Sequence, residues 1–221
     1  MPAATPKTRG IAGLPLIELP AEQRGPLLAI VLSGDGGWRD LDKSISEKLQ
    51  SAGVSVVGWD SLRYFWSPRT PDGLAHDVDR TLRYYGAHWH KSRALLLGYS
   101  QGADVLPFAV NRLPPSTRSA LALTVLIGLG ADAAFEFHVA NWIGRSDGLP
   151  VRPEMDKLAG NATLCLYGKD DTDSICPHLA PAHARVIQLA GGHHFGGDYE
   201  GLASLILQQA GVTRSAAPTA R

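Results

Sequence analysis

The stretch Leu95–Phe108, LLLGYSQGADVLPF, carries the residues best suited to chemistry. Within it, Gly98-Tyr99-Ser100-Gln101-Gly102 fits G-x-S-x-G. In that pattern a serine sits on a sharp strand-to-helix turn with its hydroxyl clear of the sheet edge, and the flanking glycines let neighbouring backbone pack close. Five-residue matches arise by chance, so context decides. Here a strongly apolar run precedes the serine and an alanine-led helical segment follows it, which is the setting the chemistry needs. The bland alternative is a glycine-bounded loop with a capping serine.

A serine hydroxyl is a poor nucleophile at neutral pH. It needs a base, and the base needs a carboxylate to orient it. When these sit on an α/β sheet, acid and base follow the serine in that order, each at the end of a later strand. Two loops offer them: KDDTDSICP after an apolar run at 162–168, and GGHHFGGDY after another at 184–190. Asp171 has the G-x-x-D spacing counted from Gly168. Asp173 stands in an Asp-x-Ile-Cys arrangement, in which a bridge from Cys176 to Cys165 would clamp the acid's loop. Asp173 is the favoured acid and Asp171 the alternative. His194 fits G-x-x-H followed by an aromatic and is the favoured base; His193, on the shorter Gly-Gly-His reading, is its rival.

Acyl transfer also requires donors for a developing oxyanion. The backbone N–H of Gln101, next to the serine, is one. The loop SGDGGW at 33–38 supplies the other, by register the N–H of Asp35, with Gly34, Gly36 and Tyr99 lining the substrate position. A dinucleotide-binding loop is the rival reading of those glycines, but the G-x-G-x-x-G register is missing. The remaining histidines (His76, His88, His90, His138, His178 and His183) show no metal spacing with a third ligand. No metal and no cofactor are expected.

These residues must be positioned by a sheet. Nearly continuous Val/Leu/Ile runs at 26–33, 54–59, 93–99, 122–129, 162–168 and 184–190 read as strands covered on both faces. Between them lie candidate helices near 39–52, 72–90, 101–112 and 199–210, the second opening at Pro71-Asp72. The alternation predicts one α/β domain with a mostly parallel sheet and helices on both faces, its core at about 26–210 and its termini loose. The irregular segment 130–157 is too short for a large lid, so the site should be open.

Composition agrees. The chain has 221 residues, 44% of them hydrophobic and 19% charged, which marks a folded protein. Its 21 basic and 21 acidic residues cancel, and no dense Lys/Arg cluster suggests nucleic-acid binding. No apolar run approaches the roughly 18 to 20 residues of a membrane span. The polar N-terminus, MPAATPKTRG, has no apolar leader, which leaves a cytoplasmic protein or a trimmed mature chain. The two cysteines, Cys165 and Cys176, admit either two ordinary buried thiols or a short-loop disulfide formed in an oxidising compartment.

Four motifs in order, LSGDGGWRDLD, GYSQGADVLPFAVNRLP, YGKDDTDSICP and GGHHFGGDY, resemble the VirJ family of bacterial virulence proteins, including the C-terminal domain of AcvB. The resemblance runs from about residue 26 to 210. GYSQGA and D-x-I-C are also similar to cutinases, lidless serine esterases with a disulfide beside the catalytic acid, and that similarity tips the choice to Asp173. The resemblance implies a periplasmic α/β hydrolase with Ser100, Asp173 and His194 as its triad. For the AcvB branch it implies hydrolysis of aminoacylated phosphatidylglycerol, mainly the lysyl ester. For VirJ it implies a link to type IV secretion, with secretion proteins as partners and catalysis not required. A general carboxylesterase or thioesterase is the third reading. An aminoacyl ester carries a cationic ammonium, which acids near the cleft such as Asp35, Asp104 or Asp198 would favour. The aromatic and arginine-bearing loop LRYFWSPRTP (62–71) could rest on a lipid surface or fill the core.

Overall fold

A computed structural model describes residues 11–23, 25–137 and 148–212. Its seven-stranded sheet has the order β1-β3-β2-β4-β5-β8-β9. The strands are β1 (Leu16–Leu19), β2 (Leu27–Leu32), β3 (Ser55–Trp59), β4 (Arg93–Tyr99), β5 (Leu121–Ile127), β8 (Thr163–Gly168) and β9 (Arg185–Leu189). All pairings are parallel except β1 with β3. A small antiparallel pair, β6 (Asp132–Ala133) and β7 (Leu149–Pro150), stands apart.

The period of two along each strand splits the core. Leu28, Ile30 and Leu32 of β2 face one layer, while Leu27, Ala29 and Val31 face the other. The first layer is covered by α3 (Pro71–His88) and α4 (Gln101–Arg112), the second by α1 (Asp40–Ser51) and α7 (Tyr199–Gln209). Both faces of the central strands are therefore buried, which is why they read as apolar runs and not as alternating ones. Short helices α2 (Ser61–Tyr64), α5 (Pro115–Ser119) and α6 (Arg152–Met155) lie in the connections.

Each strand and helix expected from the sequence is present within about two residues of its expected ends. The expectation of a loose N-terminus is corrected in part, because Leu16–Leu19 forms the edge strand β1. Four residues with no helix before them give too weak a period to be read as a strand. Residues 1–10, the tail from 213, and 138–147 of the irregular segment, with His138, lie outside the described residues.

The order places the site. β2 leads to β3 on one side, while β4 lies on its other side, so the loop after β2 runs to α1 and the turn after β4 runs to α4 on the opposite face. Chain segments diverging from adjacent parallel strands leave a crevice at their carboxyl ends.

Candidate active site

Ser100 stands between the last residue of β4 and the first of α4, with φ 51° and ψ −122°. A non-glycine residue at positive φ costs of order 1–3 kcal/mol, sustained only where the surroundings leave no alternative. They do so here. A side chain at Gly98 would put its Cβ 2.3 Å from the Gly102 carbonyl oxygen, and one at Gly102 would lie 2.4 Å from that of Leu32. Strand, turn and helix thus meet backbone to backbone. The Ser100 N–H donates to the Ile127 carbonyl (2.9 Å) and its carbonyl accepts from Asp104 N–H (3.0 Å). Its hydroxyl makes no hydrogen bond with the described residues.

The acid and base loops are joined by backbone. Lys169 N–H donates to the Leu189 carbonyl (2.8 Å) and Asp170 N–H to that of Gly191 (3.0 Å). A Cβ on Gly168 would sit 2.2 Å from the Gly192 carbonyl oxygen, so only glycine fits between them. His193 Nδ1 lies 2.8 Å from Asp171 Oδ2, whose side chain is only 5% exposed. A carboxylate accepts, so Nδ1 carries the proton and Nε2 keeps its lone pair. The His193 ring packs against Tyr99, the neighbour of Ser100, with centroids 5.3 Å apart. It also lies directly over Gly128, where a Cβ would fall 2.7 Å from its Cε1.

This geometry does not join the favoured acid and base, Asp173 and His194. Asp173 is exposed on a turn and makes no hydrogen bond or ion pair among the described residues. His194 is exposed, and its Nδ1 meets the Tyr99 hydroxyl at 2.8 Å. The joined pair is the alternative one, Asp171 with His193. The two-residue difference is decided by the turn at Gly168–Asp171, closed by Asp171 N–H to the Gly168 carbonyl (2.9 Å), which points Asp171 and not Asp173 at the base loop. The G-x-x-D spacing was the signal that carried this information. On the other loop, Phe195 takes φ 53° and buries its ring against the α7 layer, anchoring the tandem histidines.

Cys165 of β8 and Cys176 form a disulfide, leaving no free cysteine. The bridge closes the loop that holds Asp171. Of the loop at 33–38, Gly34 is buried with its Cα against the serine: a Cβ there would lie 3.4 Å from Ser100 Cβ and 3.3 Å from Tyr99 Cδ1. Asp35 and Gly36 are exposed at the crevice mouth. The Asp35 N–H donates to none of the described residues. Gln101 N–H opens α4, where amides have no intrahelical acceptor. The Gln101 side chain is buried and donates from Nε2 to the Ala134 carbonyl (3.1 Å).

Two of the three acids considered as cation anchors have other work. Asp198 caps α7 by accepting from Gly201 N–H (2.9 Å). Asp104 Oδ1 accepts from Gly130 N–H (2.7 Å), and burial pushes its carboxyl up to about 8, with Asp35, Asp132 and Asp171 adding repulsion. In the loop 62–71, Tyr64 and Phe65 fill the core, whereas Trp66 is 67% exposed and stacks on Phe137.

A crevice over a strained serine turn, with a histidine–carboxylate pair delivered by later strands, is the arrangement of an α/β-hydrolase fold. Among solved structures the chain is similar to Est1E from Butyrivibrio proteoclasticus, with a TM-score of 0.62 at 15% identity over 89% of this chain and 93% of that one. It is similar too to XC6422 from Xanthomonas campestris, described as a serine hydrolase without a lid (TM-score 0.59, 16% identity, 94% and 98% covered). A third is YbtT, a type II thioesterase of a yersiniabactin pathway (0.58, 15%, 90% and 99%). At such identities the likeness establishes the fold. The chain belongs to the VirJ family of bacterial virulence proteins, whose model matches residues 26–214. No curated protein matches it in sequence.

Proposed function

We propose that this protein is a serine ester hydrolase with Ser100 as nucleophile, His193 as general base and Asp171 as the carboxylate that orients it. The observation that carries this reading is the 2.8 Å contact between His193 Nδ1 and buried Asp171, held against the strained turn that presents Ser100. The esterases and thioesterase that share the fold support it by analogy.

In the reaction, Ser100 Oγ attacks the ester carbonyl while its proton passes to His193 Nε2. The carbonyl electrons move to oxygen, which the N–H groups of Gln101 and Asp35 stabilise. The intermediate collapses, the C–O bond breaks, and the leaving alkoxide takes the proton from His193. Water then repeats the sequence on the acyl-serine, releasing the acid and restoring Ser100.

The substrate we favour is an aminoacyl ester, with lysyl-phosphatidylglycerol foremost. Family membership supports this choice, as does the exposed carboxyl of Asp35 in the loop beside Ser100, which suits an ammonium-bearing acyl group. A disulfide in the acid's loop supports an oxidising compartment, and for a bacterial protein we propose the periplasm.

The test is release of free lysine from lysyl-phosphatidylglycerol vesicles by the protein and by Ser100→Ala. Release by the parent alone is expected. If neither vesicles nor simple acyl esters are cleaved, the hydrolase reading falls and a non-catalytic role in secretion takes its place. If only simple esters are cleaved, the substrate is wrong and the reaction class stands.

A further inference from the structure

Three consecutive residues after β5 meet the base, the loop that carries the acid and the helix that follows the serine. Gly128, at φ 66°, lies beneath the His193 ring, and its N–H donates to the Leu166 carbonyl of β8 (2.8 Å). The Leu129 carbonyl accepts twice from the loop that carries the acid, from Ile175 N–H (2.9 Å) and from the buried Ser174 hydroxyl (3.1 Å). Gly130 N–H donates to Asp104 Oδ1 at 2.7 Å. The base, the acid loop and the nucleophile's helix are thus tied to one short segment; Ser100 N–H holds the residue before it, Ile127, and the Asp104 side chain holds Gly130 itself.

Asp104 holds the other end as well. Its backbone N–H donates to the Ser100 carbonyl (3.0 Å), the first hydrogen bond of α4. One residue therefore grips the nucleophile's turn through its main chain and the Gly128–Gly130 segment through its carboxyl. The fit is close: a Cβ on Gly130 would lie 3.3 Å from Asp104 Oδ1. The Asp104 carboxyl has no use in the reaction steps above, and no cation neutralises it among the groups that act on it. A half-buried carboxyl kept without a counter-charge has a structural cost, which the position it secures would explain.

We propose that Asp104 is a positioning residue, setting the distance between Ser100 and the His193–Asp171 pair by fixing Gly130 to the nucleophile's helix. This rests on the hydrolase reading above. What the role requires is a hydrogen-bond acceptor and not a charge. With the carboxyl pushed up to about 8, the neutral acid predominates at pH 7 and accepts through its carbonyl oxygen. An asparagine presents the same acceptor in the same shape.

The experiment compares Asp104→Ala with Asp104→Asn on a short soluble ester at pH 7, well below the melting temperature of each variant. Asp104→Ala is expected to lower kcat 10- to 100-fold with KM changed less than about threefold, as displacement of a catalytic group by about 1 Å does. Asp104→Asn should restore kcat to within about threefold of the parent. In parallel, the low-field proton resonance of His193 Nδ1–H should shift or broaden in Asp104→Ala and persist in Asp104→Asn. That readout reports the pair without turnover. An unchanged kcat and resonance in Asp104→Ala overturns the proposal, as does an Asp104→Asn variant as impaired as Asp104→Ala, which would make the charge the operative feature. A parent protein that cleaves no ester removes the hydrolase reading, and the proposal goes with it; a parent that cleaves while Asp104→Ala matches it removes the proposal alone.

Discussion

Replacing Asp171 by asparagine tests the joined pair directly. In the mechanism we propose, His193 takes the proton from Ser100 and an imidazolium forms beside Asp171, 2.8 Å from ring nitrogen to carboxyl oxygen, with charge centres roughly 4 Å apart. At an effective dielectric of about 20 the attraction at that distance is about 4 kcal/mol, and at about 1.4 kcal/mol per decade this is roughly 10³ in rate. Asparagine also lets the ring adopt the wrong tautomer, which raises the loss towards roughly 10⁴. Asp173 is exposed and partnerless among the described residues, so Asp173→Asn should leave activity within about twofold. The assay is kcat and kcat/KM on a soluble p-nitrophenyl ester, with circular dichroism to confirm that each variant is folded. A loss of 100-fold or more in Asp173→Asn, with Asp171→Asn within tenfold of the parent, would refute the assignment. It would mean that the acid loop rearranges when substrate binds.

Other consequences follow from the same interactions. The Cys165–Cys176 bridge closes a loop of about 12 residues, for which chain entropy gives about 3 kcal/mol. Reduction should lower the melting temperature of a chain this size by roughly 6–11 °C in a calorimetric scan with and without reductant; an unchanged scan would refute it. Asp42 is 1% exposed, its Oδ1 has no partner among the described residues, and burial raises its carboxyl to about 7. Between about pH 4 and 7 the folded state holds a proton that the unfolded chain releases, so stability falls as pH rises through that window, by no more than about 4 kcal/mol. Asp42→Asn should therefore melt higher than the parent at pH 8 and nearly with it at pH 4; equal melting at pH 8 would count against this. Gly102→Ala drives a Cβ to 2.4 Å from the Leu32 carbonyl oxygen, so a loss of about 3 kcal/mol or more in denaturant unfolding is expected.

By itself, the sequence determined the alternation of strands and helices, because strands buried on both faces must be apolar throughout and surface helices must be amphipathic. It determined the serine too, since a turn with backbone contacts near 2.3 Å at both flanks accepts only glycine there. It confined the acid and base to two short loops. Within those loops local spacing supported both choices, and only the tertiary structure separated them. Which aspartate faces the histidine depends on how the loops after β8 and β9 zip together across Gly168, a contact between residues about 23 apart that no local pattern encodes. Tyr99 took up the neighbouring His194 for the same kind of reason, its hydroxyl reaching a residue 95 positions away. The edge strand β1 escaped notice because its four residues gain their order chiefly from pairing with β3, about 40 positions on. Residue types and spacings fix which chemistry a chain can hold; long-range packing chooses the atoms, because a hydrogen bond depends on a distance in space that sequence separation does not measure.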